Sequence, residues 1–393
     1  MKIKQSPDDF IVEELTTLTP LSDGPFGLYR LRKTGWTTPD ALNLVCRRWK
    51  LPWQRLSYGG LKDRHAMTTQ YFTVANGPAR GINQQNILVE YLGRAAEPYD
   101  SSFIKANRFR LVVRDLRDDE TNAAQAKATA IRHVGIPNYF DDQRFGSVSA
   151  AGHFIARHLV LGDFESGLKQ ALTSAYAFDR AEAKREKAIL RQHWRDWPTC
   201  KSKLDRGNAR SVIDYLVTHP DDFRGAFGRI RPELGELYLS AYQSHLWNRT
   251  LAGWIRSKVS GSSLGSIELR TGPLPVPQSV PAPLLPDWFG LNIPLPSARM
   301  TWDAEASWAP AMQSVLNAEG ITLEQMKLKG LRRPYFSKGE RAAVYRPEGF
   351  SLIADDDDRN FGERKLTLQF ELPRGSYATM LVKCLLGTSE GLD

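Results

Sequence analysis

The stretch Gly60-Leu61-Lys62-Asp63-Arg64-His65-Ala66-Met67-Thr68-Thr69-Gln70 holds one carboxylate, Asp63, among three side chains that can carry positive charge. Neighbouring cations favour the ionised form of an acid. An ionised carboxylate can attack a carbon as a nucleophile or take a proton as a general base. The same residues also suit a solvated turn, since Gly, Lys and Asp are ordinary turn formers. The rest of the chain must decide between the two.

Other chemistries lack their motifs. No Gly-x-Gly-x-x-Gly follows a strand pattern and there is no Walker loop, so no nucleotide cofactor is implied. His-Glu-x-x-His is absent, and His153 and His158 stand five apart, off one helical face, so no metal site is expected. The missing Gly-x-Ser-x-Gly weakens a hydrolase reading. Cys46, Cys200 and Cys384 are far apart, which argues against a disulfide framework or a cysteine zinc site. No apolar run approaches the ~20 residues of a membrane span. The first residues, Met1 to Pro7, lack the apolar core of a signal peptide. A reducing cytoplasm is the expected setting.

The elements that would position Asp63 read as a sheet with helices. Asp9 to Leu15 and Gly27 to Arg32 form strand patterns. Thr38-Pro39-Asp40 opens a helix, with Thr38 as its expected cap. Strands are expected near 70–75, 87–92 and 108–114, and a helix over 119–134 ending at Gly135. From 149 to 260 the pattern turns helical, and the proline-rich 271–296 reads as irregular backbone. A helix over 303–318, strands near 340–353 and 364–372, and a closing helix complete the chain. Asp355 to Asp358 reads as an exposed, solvated hairpin turn. The outcome is an α+β fold with a mixed, largely antiparallel sheet, interrupted by a mostly helical insertion. Two or three domains suit 393 residues.

Net charge is +9 with an isoelectric point near 9.4, so a polyanionic partner fits. Cations alternate with rings in Arg47-Arg48-Trp49-Lys50, in Arg191 to Trp197 and in Arg332 to Phe336. Phosphates need cations and unstacked bases need flat rings, which points to RNA. Amphipathic helices with buried rings would read the same way. Three more stretches, Gly135 to Gly146, Leu237 to Asn248 and Leu372 to Thr379, mix rings with hydrogen-bonding side chains. Each suits either a site or a buried polar network.

Taken in order, Pro7 to Glu14, Gly60 to Gln70, Lys105 to Phe109, Asn138 to Phe140 with Gln143 to Gly146, and Leu372 to Thr379 resemble the TruD family of tRNA pseudouridine synthases. The resemblance implies a catalytic domain over 1–147 plus 338–393 and a family-specific insertion domain over 148–337. It places the catalytic aspartate at Asp63, with Lys4 and Glu14 as supporting residues. Phe10, Asn107, Phe109 and Tyr377 would hold the uridine, and Tyr377 stands where better-known bacterial members carry phenylalanine. Lys62 and Arg64 would point away or toward phosphate, while Gln143 and Arg144 would serve as scaffold. Asp141 departs from the family's usual glycine, which puts the local backbone in question. The implied activity is isomerisation of a uridine in the tRNA D arm, position 13 in bacterial relatives, without cofactor or metal. The same chemistry on another RNA, an inactive tRNA-binding chaperone and an RNA hydrolase are the alternatives. A monomer is the default expectation.

Overall fold

The structure is a computed structural model that describes residues 1–149, 151–176, 179–331 and 333–387. The described residues divide into two compact units, Met1–Ile136 with 345–387, and Pro137–Val344.

The first unit is built on one ten-stranded sheet. Its N-terminal strands are β1 (Lys2–Ile3), β2 (Phe10–Thr16), β3 (Phe26–Lys33) and β4 (Leu56–Tyr58). They are followed by β5 (Met67–Ala75), β6 (Ile82–Gln84), β7 (Ile87–Ala95) and β8 (Ile104–Leu116). A closing hairpin, Glu348–Asp356 and Arg364–Pro373, completes the sheet. The hairpin lies beside β8, and the order continues β2, β5, β3, β7, β6. The β2–β5 pair is parallel and the other described pairs are antiparallel.

Alternation drives the sheet's burial. Tyr29 and Leu31 of β3 turn inward against Leu42, Val45 and Trp49 of α1 (Thr38–Trp49) and Phe72 of β5. The Tyr29 ring stacks on Phe72 at 5.1 Å and leans on Trp49 at 4.9 Å. Burying each such side chain contributes roughly 1.5–3 kcal/mol. Lys33 continues the same inward face and is 2% exposed. The cap of α1 is Thr37, whose hydroxyl accepts from the Asp40 amide at 3.2 Å, not Thr38. Thr38 is buried instead, with its hydroxyl turned to Gln70. The helix α2 (Asp118–Val134) ends at Gly135, at φ 72°, where a side chain would be strained.

The second unit is mainly helical. Its long helix, Pro232–Lys258, carries the stretch Leu237 to Asn248, and this stretch is a buried polar network. Gln243 donates to the carbonyls of Pro296 and Ser337, and Trp247 to that of Ile293. Asn248 grips both the amide and the carbonyl of Phe140 at 2.8 Å. Together with the Asn138 amide on Ala343 and Arg341 on Asn138, this draws residues 137–147 and 338–344 into the second unit.

Part of the proline-rich segment is regular. Gly272–Pro277 pairs antiparallel with Leu264–Leu269. Pro273, Pro275 and Pro277 fall at alternate positions, so their missing N–H groups share the unpaired edge. The expected helix over 303–318 begins later, at Ala309–Glu319.

Candidate active site

Residues 59–66 form the loop between β4 and β5, and Asp63 stands in it. Its Oδ2 accepts from Lys4 Nζ at 2.7 Å, and its Oδ1 accepts from the His65 amide at 2.8 Å. Burial pushes the carboxyl up, but the Lys4 and His65 hydrogen bonds outweigh it and hold Asp63 below the ordinary carboxylate range. The side chain keeps 31% of its surface exposed. Asp63 is therefore an ionised acid that a reactant can reach.

Lys4 is held by its neighbours. Its backbone adopts φ 58°, a left-handed conformation that costs a side-chain-bearing residue energy and persists where the surroundings enforce it. On one side, β1 pairs Lys2 and Ile3 with Arg114 and Val113 of β8. On the other, buried Asp9 accepts from the Ser6 amide at 2.9 Å and pairs with Arg114 at 3.0 Å. Arg114 also binds Asp357 at 2.7 Å and Asp358 at 2.9 Å. Asp355, Asp356 and Asp358 are exposed, as expected of a solvated acidic turn, and Asp357 alone departs from that expectation. The Asp357 side chain is fully buried and ties the closing hairpin to β8. Burial opposes its charge, yet Asn360, two backbone amides and Arg114 hold its carboxyl far below the ordinary range.

Beside Asp63, β2 and β8 place Glu14 opposite Asn107, Val12 opposite Phe109 and Phe10 opposite Leu111 on one face. Glu14 is fully buried. It accepts from the Tyr99 hydroxyl at 2.9 Å and the Tyr71 amide at 3.2 Å. Burial and the Glu14 charge push the Tyr99 phenol well above its ordinary range, so it donates as a neutral hydroxyl. Lys62 points inward, to Glu14 at 2.7 Å and to Asn107 Oδ1 at 2.7 Å, rather than away or toward phosphate. The rings run on from there. Phe10 lies under Lys4 Nζ at 4.5 Å and meets the edge of Phe109 at 6.4 Å, and Phe109 stacks on Phe370 at 5.3 Å.

A buried polar shelf supports the loop. The Thr38 hydroxyl accepts from the Lys62 amide at 3.0 Å and donates to Gln70 at 2.8 Å, and Gln70 donates to the Gly60 carbonyl at 3.3 Å. Buried Lys33 donates to the Lys62 and Asp63 carbonyls of the same loop. The sequence reading passed over Thr38, Gln70, Lys33 and Tyr99 as functional groups. The signal for Lys33 was the alternation Tyr29, Leu31, Lys33, which sets a cation on a core-facing row.

Arg64 is exposed and reaches the Gly35 carbonyl at 3.2 Å. Tyr377 is half-buried just ahead of the helix Ala378–Leu386, and its carbonyl accepts from the Tyr345 hydroxyl at 3.2 Å. Gln143 and Arg144 belong to the second unit, where Arg144 lies over Phe140 at 5.3 Å and reaches Ser240 at 3.5 Å. Asp141 has φ −90°, so no left-handed backbone is required there, and its side chain caps the Asp142 amide at 2.8 Å.

An ionised, reachable carboxylate beside stacked rings and inward-facing hydrogen-bond donors, carried on a mixed sheet, has the groups that covalent or base chemistry on a flat polar molecule requires. The profile of the tRNA pseudouridine synthase D (TruD) family matches residues 1–264 and 291–385. The chain belongs to that family, and its enzyme class is an isomerase, a tRNA pseudouridine synthase. It is 29% identical over 397 residues to a chain of Methanococcus maripaludis named for tRNA pseudouridine synthase D, covering 98% of each. It is 28% identical over 395 residues to the tRNA pseudouridine synthase D of Aquifex aeolicus, again over 98% of each. A crystal structure from Methanosarcina mazei described as a tRNA pseudouridine synthase D shares the fold. Its TM-score is 0.76 at 23% identity, over 98% of this chain and 93% of that one. Among the described residues, no helix is long and apolar enough to cross a membrane.

Proposed function

We propose that Asp63 is the reacting carboxylate and that the substrate is a D-arm uridine of tRNA, at position 13. The Lys4–Asp63 contact carries this reading: residues 59 apart in sequence meet at 2.7 Å and keep one exposed acid charged. Isomerisation breaks the bond between the base and C1′ of the ribose, rotates the base and rejoins it through C5, whose hydrogen leaves as a proton. Nothing is oxidised, so no cofactor is invoked. Asp63 either attacks carbon or takes the C2′ proton, and both roles need its charge.

The base must leave the RNA stack to reach Asp63. Phe10, Phe109 and Tyr377 supply rings for it. Asn107 gives its amide oxygen to Lys62, which leaves its NH2 group to donate to a uracil carbonyl. Glu14 holds Lys62, and through it Asn107. Arg64, exposed beside Asp63, would meet phosphate, while Gln143 and Arg144 would serve as scaffold at the end of the catalytic domain, next to a TRUD insertion domain over 148–337. The enzyme works in the cytoplasm as a monomer. Pseudouridine mapping of a tRNA before and after incubation tests the target: one new pseudouridine in the D arm is expected, and modification confined to another arm or another RNA overturns the site assignment.

A further inference from the structure

Lys33 is a buried cation that the chemistry above does not use. It ends β3, is 2% exposed, and its ammonium donates to the main-chain carbonyls of Trp36 at 2.8 Å, Lys62 at 3.3 Å and Asp63 at 2.9 Å. All three partners are backbone. A lysine buried only to satisfy a charge would pair with a carboxylate. This one bridges two loops, 34–37 and 59–66, and one of its partners is the carbonyl of Asp63 itself.

We propose that Lys33 is a positioning residue for the reaction, its ammonium clamping the Asp63 loop so that the carboxylate meets C1′ or C2′ in register. The inference rests on Asp63 being the reacting acid. An ammonium has three donors and the clamp uses three, whereas a neutral amine has two and leaves a carbonyl unpaired. Besides the side-chain contacts of Asp63, Lys62 and Arg64, the loop's main chain is tied by single hydrogen bonds: the Lys62 amide donates to Thr38, the Gly60 carbonyl accepts from Gln70, and the Arg64 carbonyl accepts from the Gly35 amide at 3.1 Å. Reaction geometry is sensitive to displacements of about 1 Å, which cost on the order of 100-fold in rate.

The clamp has a pH signature. Burial lowers the Lys33 pKa from 10.5 to about 8, with Asp63 opposing and Lys62 assisting. Those two are the charged groups facing it. β5 and β7 oppose it with Thr68 and Ile87, neither of which titrates here. The clamp is complete below pH 8 and loses its proton above it. The folded value lies below the unfolded one, so the native state binds fewer protons between about 8 and 10.5, and the Lys33 contribution to stability rises with pH across that window. The rate therefore falls on an alkaline limb that unfolding does not cause.

The test compares single-turnover rates, tRNA Kd and Tm for wild type, Lys33→Met, Lys33→Arg and Asp63→Asn from pH 7 to 9. For Lys33→Met the expected result is a rate roughly 100-fold lower, with tRNA Kd little changed and faster amide exchange at residues 62–65. Lys33→Arg should recover part of the rate and lose the break near pH 8, because a guanidinium does not titrate there. Should Lys33→Met fail to fold, the wild-type profile decides: a fall in rate above pH 8 at a Tm that does not fall supports the clamp, and a flat profile overturns it. A folded Lys33→Met near wild-type rate, beside an inactive Asp63→Asn, overturns the clamp alone. An active Asp63→Asn overturns the clamp and the reading of Asp63 together.

Discussion

At the scale of residues, the electrostatic state of Asp63 matters most, and Lys4 sets it. Removing that ammonium takes away a hydrogen bond and a charge, so the Asp63 pKa must rise. Lys4→Met is expected to lose roughly 10²–10⁴-fold in rate at pH 7, the range for removing a group that assists an acid or base. With Asp63 as the proposed, ionised reacting acid, the acidic limb should also move to higher pH, which a pH–rate profile reads directly. An unmoved limb would separate Lys4 from the carboxylate. Asp63 itself was legible in the sequence as a lone acid in a basic stretch, and its proposed role followed from the family resemblance. The inward turn of Lys62 was not legible. Its partners, Glu14 and Asn107, lie 48 residues before it and 45 after it, and only strand register brings them together.

At the scale of elements, the N-terminal segment and the closing hairpin are joined through Arg114. Strands, the two long first-unit helices and the helical middle of the chain could be read from periodicity, because alternation and helical spacing are local properties. The burial of Asp357 within the acidic run could not. The partner that makes Asp357 a buried anchor stands 243 residues away, so locally it resembles any solvated turn. Replacing Arg114 with Met leaves Asp9 and Asp357 buried without their cation. A loss of about 3–5 kcal/mol is expected, measured by urea unfolding. Activity should fall beyond what stability explains, since Lys4 hangs between β1 and Asp9. Asp357 also sets an acid limit. Its folded pKa is depressed, so its stabilisation is present above the unfolded value near 4 and is lost as pH falls below it. Asp357→Asn should lower Tm at pH 7 and flatten the decline of Tm from pH 5 to 3.

At the scale of the whole molecule, a net charge of +9 suits a polyanionic substrate, and binding should release counterions. The logarithm of the tRNA association constant should fall linearly and steeply with the logarithm of salt. Filter binding between 50 and 200 mM salt, on the order of the range where such losses are large, checks this, and a flat response would argue against phosphate contacts as the source of affinity. Asp63→Asn should bind with nearly the same salt slope, because it removes chemistry rather than a phosphate contact. The most direct single measurement is tritium release from tRNA carrying 5-tritiated uridine, with wild type and Asp63→Asn side by side. Rejoining through C5 expels that hydrogen, so release by wild type and none by Asp63→Asn is the expected result. Comparable release by both proteins would contradict the central role of Asp63.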